Sequence, residues 1–289
     1  MNKTYNIEVI KKTDNMFPWF LKEMEDAPEA LFCIGDISLL TNRAAAVVGA
    51  RKCSEYGRQT ALKTGEMLAQ NGVVTVSGMA VGIDSAAHAG ALKAGGKTIA
   101  VLGCGPDICY PKVNRRLYEK ICERGLVVSE FKPGTEARPW HFPMRNRIIA
   151  ALSEIVTVIE AMSGSGALIT ALKAAEQGKE VFALPGNITS PFSEGTNRLI
   201  YDGAGILTKT EDILYAMDIE PASILTTEKN VGADELEILD NIRKYGDVSI
   251  EFLSSIMGKS PSYVSGIVSV MELKGILSYS MGKIFIAKF

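Results

Sequence analysis

The sequence predicts an α/β protein: a doubly wound, mainly parallel sheet followed by a small winged-helix-like module. Three observations carry this expectation. Between Ala44 and Leu184 the apolar runs are short and lack polar alternation, as in strands covered on both faces. Each run closes on turn-forming residues and gives way to a helix-length stretch, the alternation that builds parallel sheets. From about Asp234, three helical patterns precede two short strands. The chain of 289 residues has room for one α/β domain of about 200 residues and an appendage.

Taken in order, residues 1–43 are expected to form a helical lead-in, with Phe17-Pro18-Trp19-Phe20-Leu21 and the Pro28-x-x-Leu31-Phe32 cluster packing on a sheet edge. The Rossmann-like domain is expected over residues 44–217. There Ala44–Val48 leads into Gly49-Ala50-Arg51, Val73–Val76 into Ser77-Gly78, and Thr98–Leu102 into Gly103-Cys104-Gly105. Leu126–Val128 leads into Ser129-Glu130, and Ile155–Ile159 into Glu160 and Ser163-Gly164-Ser165-Gly166. Val181–Leu184 ends in Pro185-Gly186, and Gly195-Thr196-Asn197-Arg198 opens a further helix. Ligands of such sheets bind outside the carboxyl ends of the strands, so these Gly-, Ser- and Arg-bearing ends predict an anion-binding rim. A linker is expected over 218–233, and the small module over 234–289. The module's third helix, opened by Ser260-Pro261-Ser262, is Ser/Val-rich and poor in Lys and Arg. Major-groove readout therefore has little support, and protein contact suits the module better.

The stretch Arg138–Leu152 organises the functional reading. Ile148, Ile149 and Leu152 share one helical face, and Pro143 suits a first helical position. On that reading Arg145 and Arg147 lie in the first turn, where the helix dipole disfavours cations unless an anion sits in front of them. Upstream, Trp140, His141 and Phe142 offer flat surfaces for a stacked base. The competing reading makes Trp140 and Phe142 core aromatics and pairs the arginines with carboxylates. The residues of this stretch leave both open.

Bulk properties narrow the classes. Net charge is −2, so no global basic footprint supports general nucleic-acid adhesion, and any such site must be a local patch. Residues 1–20 show no apolar signal core, and no run reaches membrane-spanning length, so a cytoplasmic protein without a membrane span is expected. The five cysteines lack paired C-x-x-C spacing, and there are two histidines, so neither a disulfide framework nor a metal is expected. The turn Gly49-Ala50-Arg51-Lys52-Cys53-Ser54 is not G-x-G-x-x-G, and no P-loop is present, so no nucleotide cofactor is expected. Asp84 and His88 stand one turn apart and could interact, but a hydrolase triad lacks its G-x-S-x-G elbow. What remains is a phosphate-backbone site. Arg51, Lys52, Arg115, Arg116, Arg138, Arg145, Arg147 and Arg198 all fall in loops or helix starts on the expected ligand side.

These stretches together resemble the DNA-processing protein A (DprA, or Smf) family. The resemblance rests on Val48-Gly49-Ala50-Arg51 with Tyr56-Gly57, Ser77-Gly78-x-Ala80-x-Gly82-Ile83-Asp84, and Leu102-Gly103-Cys104-Gly105 with Tyr110-Pro111. It continues through Phe142-Pro143-x-Arg145-Asn146-Arg147, Ser165-Gly166-x-Leu168-Ile169-Thr170 and Gly195-Thr196-Asn197-Arg198, and spans about residues 17–215. It implies an extended Rossmann domain that binds single-stranded DNA, forms a homodimer and loads RecA recombinase onto DNA in natural transformation, without catalysis. By the same resemblance, Arg51, Phe142, Arg145 and Arg147 contact DNA, while Ser77, Ser165 and Gly166 shape the phosphate pocket. Many members carry a basic residue just before the Phe-Pro pair. Here Pro139-Trp140-His141 fill that place and Arg138 is the nearest cation. The enzyme alternative is a nucleotide phosphoribohydrolase of the lysine-decarboxylase-like kind, for which Glu160 is a stray acid without its P-G-G-x-G-T-x-x-E loop.

Overall fold

The computed structural model describes residues 5–221, 232–274, 276–280 and 282–286. The described chain divides into two units, residues 1–221 and 222–289. Residues 222–231, most of the expected linker, lie outside the described residues, as do Gly275 and Met281 of the expected hairpin.

The lead-in differs from expectation. It is built on two strands, β1 (Glu8–Lys11) and β2 (Ala30–Gly35), with a single helical turn, α1 (Trp19–Lys22), between them. Ala30-Leu31-Phe32-Cys33-Ile34 is a short apolar run of the same kind as those downstream. Its Leu31, Cys33 and Ile34 are buried. A strand accommodates that run better than a helix, because its β-branched and aromatic members suit a pleated surface.

The central wind follows the expected alternation. From β3 (Ala44–Val48) the chain runs through α2 (Glu55–Gln70), β4 (Val74–Ser77), α3 (Ile83–Lys93), β5 (Thr98–Val101), α4 (Arg115–Arg124) and β6 (Leu126–Ser129). It then crosses to the other side of β3 through α5 (His141–Ala151), β7 (Ile155–Val158), α6 (Gly166–Glu176), β8 (Glu180–Ala183), α7 (Glu194–Tyr201), β9 (Gly205–Ile206) and α8 (Asp212–Ala216). The strand order is β1-β2-β6-β5-β4-β3-β7-β8-β9. Every pair from β6 to β9 is parallel, and β1 and β2 add antiparallel at one edge.

Both faces of the sheet are covered, which is why its strands carry no polar alternation. Ala44, Ala46 and Val48 of β3 pack with Ile148 and Leu152 on one face. Ala45 and Val47 pack with Ala61, Leu68 and Ile83 on the other. The winding reverses between β3 and β7, so a crevice opens outside the carboxyl end of β3, at the topological switch point.

The second unit comprises α9 (Ala233–Tyr245), α10 (Ile250–Met257), α11 (Pro261–Leu273) and the hairpin β10 (Leu277–Ser280) with β11 (Lys283–Ile286). Its own core gathers Ile238, Ile242, Leu253, Val264, Val268, Met271 and Ile284. Ser249 and Ser260 cap α10 and α11 through their side chains. No described helix of either unit is long and apolar enough to cross a membrane.

Candidate nucleic-acid interface

The carboxyl ends of β3 and β4 and the starts of α5 and α6 enclose a crevice of about 550 Å³. Arg51, Lys52, Tyr110, Phe142 and the segment Ser163–Gly166 stand among its walls. A smaller cavity of about 190 Å³ shares Arg51, Tyr110, Phe142 and Arg145 with it and reaches Leu102 and Cys104.

Arg51 is exposed, and its guanidinium carbon lies 5.2 Å from the centre of the Phe142 ring. Tyr110 stands against the same Phe142 ring, with centroids 5.4 Å apart and an interplanar angle of 31°. Phe142 is positioned by the residue before it. His141 is buried, stacks on Phe131 at 4.0 Å, and places Nδ1 3.1 Å from the Gly103 carbonyl. A cation above an aromatic ring, open to solvent, presents charge and a stacking face at one point.

The opposite wall is the start of α6. Ser165 caps the helix, its Oγ accepting from the Ala167 N–H at 3.4 Å. Gly166 is exposed, and the space where a side chain would stand is empty. Unpaired N–H groups at such a terminus favour an anion. Asn146 ties this wall to α5 by donating from Nδ2 to the Gly166 carbonyl at 3.1 Å.

Arg145 lies at the crevice floor and is 5 % exposed. Its Nη1 donates to the carbonyls of Gly78 (2.8 Å) and Val101, and its Nε to Asn146 Oδ1 at 3.2 Å. A Cβ at position 78 would sit 2.5 Å from the guanidinium, so only glycine admits this approach. Burial pushes Arg145 down to about 10, with the negative charge of Asp84 opposing the shift. Asp84 is itself pushed up by burial, against the pull of Arg145 and the N–H groups of Ala80 and Gly78. At neutral pH the guanidinium keeps its charge, and its Nη1 and Nε donors are spent on the protein, while Nη2 has no hydrogen-bond partner among the described residues. Arg145 contributes a fixed positive potential under the crevice and has only Nη2 left uncommitted.

Several expected positions fall elsewhere. α5 begins at His141, two residues before Pro143, so Arg145 and Arg147 are its fifth and seventh residues and not first-turn residues. Arg147 turns away from the crevice. It is buried, with Nε 2.8 Å from Asp26 Oδ2 and Nη2 2.7 Å from Glu130 Oε2, an ion pair that joins the lead-in to the end of β6. Ser77 is fully buried, and its hydroxyl donates to the Val47 carbonyl at 2.7 Å, within the sheet. Arg198 pairs with Asp202 at 2.9 Å and lies over Tyr201, and it is not among the residues lining the crevice. Arg115 likewise pairs with Glu119 on α4. Arg138 is exposed and covers the Trp140 ring at 5.5 Å, next to Pro139 at the crevice mouth.

The candidate catalytic groups have structural partners. His88 Nδ1 lies 2.6 Å from Thr98 Oγ1, and burial pushes the ring down to about 3, so it is neutral and faces Thr98 instead of Asp84. Glu160 is buried and holds the start of α2, accepting from Ser54 N at 2.8 Å and Ser54 Oγ at 2.5 Å. Each of its two oxygens is thus taken by Ser54. No cluster of three metal-ligating side chains occurs among the described residues.

Sequence reasoning passed over the loop after β4. Met79 there has φ 63°, a strained value for a side chain of its size, and its carbonyl accepts from Asn114 Nδ2 at 2.9 Å. No local pattern marks a non-glycine residue that takes a left-handed conformation.

The family model for DNA recombination-mediator protein A matches residues 8–218. The DNA processing protein DprA of Streptococcus pneumoniae is 48% identical over 201 residues, covering 70% of this chain and 71% of that protein. The DprA protein of Bacillus subtilis is 41% identical over 208 residues, covering 72% and 70%. Among solved structures, DprA from S. pneumoniae superposes with a TM-score of 0.70 at 45% identity, covering 74% of this chain and 75% of that one. DprA from Helicobacter pylori, described for its single-stranded DNA binding mode, gives 0.68 at 29% identity, covering 76% of this chain and 100% of that one. With this crevice on this sheet and these matches across most of the first unit, the chain belongs to the DNA recombination-mediator protein A family, also called DNA processing protein A or DprA/Smf.

Proposed function

We propose that the protein binds single-stranded DNA along the crevice, protects incoming strands, and loads RecA recombinase onto them during natural transformation and recombination. On this reading it acts as a homodimer in the cytoplasm. The observation that carries it is the exposed Arg51 over Phe142, 5.2 Å from the ring centre, with Tyr110 beside the same ring. A single strand alternates a charged phosphate with a flat base. A cation, stacking rings and a helix N-terminus within one open crevice suit that alternation. A duplex keeps its bases stacked internally and leaves the rings without a use. The property described for the H. pylori relative is thereby extended to this chain. The second unit acts through protein contacts in a winged-helix-like shape, since α11, where a reading helix would stand, contains no Lys or Arg.

Fluorescence anisotropy with labelled single-stranded and duplex oligonucleotides across a salt series tests the proposal. The single strand binds more tightly, with little sequence preference, and log affinity falls linearly with log salt by about 0.7 per phosphate contact. Equal affinity for duplex, or a flat salt response, sinks it. Release of free base from nucleoside monophosphates would instead favour the hydrolase alternative.

A further inference from the structure

One wall of the crevice continues directly into a helix. From Tyr110 the chain passes Pro111 and a single turn, Lys112–Asn114, and enters α4. Asn114 fastens that turn to the loop after β4 through its bond to the Met79 carbonyl, between Gly78 and Ala80 of the smaller cavity. Residues 112–124 carry five cations and two carboxylates, in a chain whose net charge is −2. This segment is therefore a local basic patch that begins at the crevice.

The cations of α4 are ordered. Tyr118, Ile121 and Cys122 are buried and pack with Ala100 and Val127 of the sheet. Arg116, Lys120 and Arg124 recur at every fourth residue on the side away from them, and all three are exposed. Each step rises about 6 Å along the helix, so the three span about 12 Å. In the adjoining row Arg115 is spent on Glu119 at 2.7 Å. Arg116, Lys120, Arg124 and the exposed Lys112 before them have no carboxylate partner among the described ion pairs.

This arrangement works against the helix itself. Like charges four residues apart repel, and Arg116 stands in the first turn, where the dipole disfavours a cation. A helix that only covered the sheet would gain by mixing signs along that row. An anion lying along the row relieves both conflicts at once. The charges are set in a line at a constant step and do not converge on one point. They suit a polymer with a charge at every repeat and not a single phosphate. At the junction Val113 is 77 % exposed, an apolar surface between the Tyr110 ring and the row.

We infer that α4 is a second segment of the DNA site: a single strand leaving the crevice past Tyr110 runs along Lys112, Arg116, Lys120 and Arg124, one phosphate to each. The inference rests on the single-strand reading of the crevice and lengthens its footprint down the outer side of the sheet. The crevice holds bases and phosphates together, whereas α4 offers its row of charge without a ring beyond Tyr110. Binding along it is therefore indifferent to sequence and strongly dependent on salt and on strand length.

The test uses the full chain and two fluorescein-labelled oligothymidylates, a hexamer sized for the crevice and a fifteen-mer that reaches past it. The parent binds both, the fifteen-mer more tightly and with the steeper salt slope. The triple variant Arg116→Ala/Lys120→Ala/Arg124→Ala weakens the fifteen-mer about a hundredfold near about 0.1 M salt and flattens its slope by about 2, the loss of three phosphate contacts at about 0.7 each. It keeps the hexamer affinity and the thermal melt of the parent, because the three side chains are exposed and line neither cavity of the crevice. A control triple, Lys11→Ala/Lys63→Ala/Lys209→Ala, removes the same charge from exposed positions on β1, α2 and the turn before α8, and keeps the fifteen-mer affinity. The inference is overturned by an α4 variant that binds the fifteen-mer like the parent, by a control that loses as much, or by equal weakening of the hexamer. A failure of the crevice reading looks different: the parent does not hold the hexamer, or Arg51→Ala holds it as well as the parent does, and the extension along α4 falls with it.

Discussion

Helix α5 is held by a desolvated cation at each end of the sheet, and the two cations differ in kind. At the carboxyl end, Arg145 gathers the carbonyls of Gly78 and Val101 beneath the crevice. At the amino end, Lys179 gathers those of Ala150, Ala151 and Ser153, where the helix runs out of its own N–H partners. Burial lowers both, Arg145 to about 10 and Lys179 to about 8. The guanidinium remains charged throughout the neutral range, so the electrostatics under the crevice are permanent. The ammonium sits near a pH at which it gives up its proton. A site meant to attract a polyanion is served by the first kind of cation, and a helix terminus tolerates the second.

Removing the carboxyl-end cation is the largest perturbation. Arg145→Ala strands Asp84 in the interior and leaves two buried carbonyls without donors, at a cost of about 3–5 kcal/mol in urea unfolding. Arg145→Lys recovers part of it, since an ammonium reaches fewer acceptors than the planar fork. A loss below about 1 kcal/mol for the alanine variant would mean that Asp84 is protonated in the folded state and needs no partner.

The contrast between Arg145 and Arg147 also marks how far sequence reasoning reached. The parallel sheet was legible, because burial on both faces imposes short unalternating runs such as Ala44–Val48 and Leu126–Ser129. So was the edge where ligands bind, because chain geometry puts the turns after those runs together. The direction of each arginine was not. Arg145 and Arg147 are two residues apart on one helix and so point to different sides, one to Gly78 and the other to Glu130. The partners lie 67 and 17 residues away, and no local pattern encodes such contacts. The helix start slipped for a related reason. Pro143 is tolerated inside the first turn as well as at its first position, and the stacking of His141 on Phe131 draws the helix two residues further back. In the lead-in, β2 was missed because the Pro28-x-x-Leu31-Phe32 spacing suggested a packing cluster, whereas the strand is fixed by pairing with β1 and with β6, the latter almost a hundred positions away.

The amino-end cation is tested by pH. An unfolded lysine titrates near 10.4, and the folded Lys179 is lowered to about 8, chiefly by burial and against the charge of Glu154. Between those values the unfolded chain holds more protons at this position than the folded one, so stability rises with pH across the window. Lys179→Met removes the titration. From pH 7.5 to 9.5 the parent therefore gains on the variant by about 1 kcal/mol, after allowance for the partial exposure of the group. Urea unfolding at the two pH values reads the difference. Parallel stability curves would place the lysine in water.

The smallest effect belongs to the exposed arginine. Arg51 has no carboxylate partner among the described ion pairs and lies over Phe142, so Arg51→Ala leaves the unfolding midpoint within error. Its effect appears in single-strand binding. Affinity falls by about 1 kcal/mol for all sequences alike, and the salt slope drops by about 0.7, the loss of one phosphate contact. Arg147→Ala is the control that sharpens the comparison. It is the bulkier loss for the fold, because Glu130 is left without its partner, yet it keeps the salt slope of the parent because its guanidinium never faces the crevice. A slope that fell for Arg147 and held for Arg51 would reverse the assignment of the two arginines. The strand would then run on the Asp26 and Glu130 side of α5, where two carboxylates repel it.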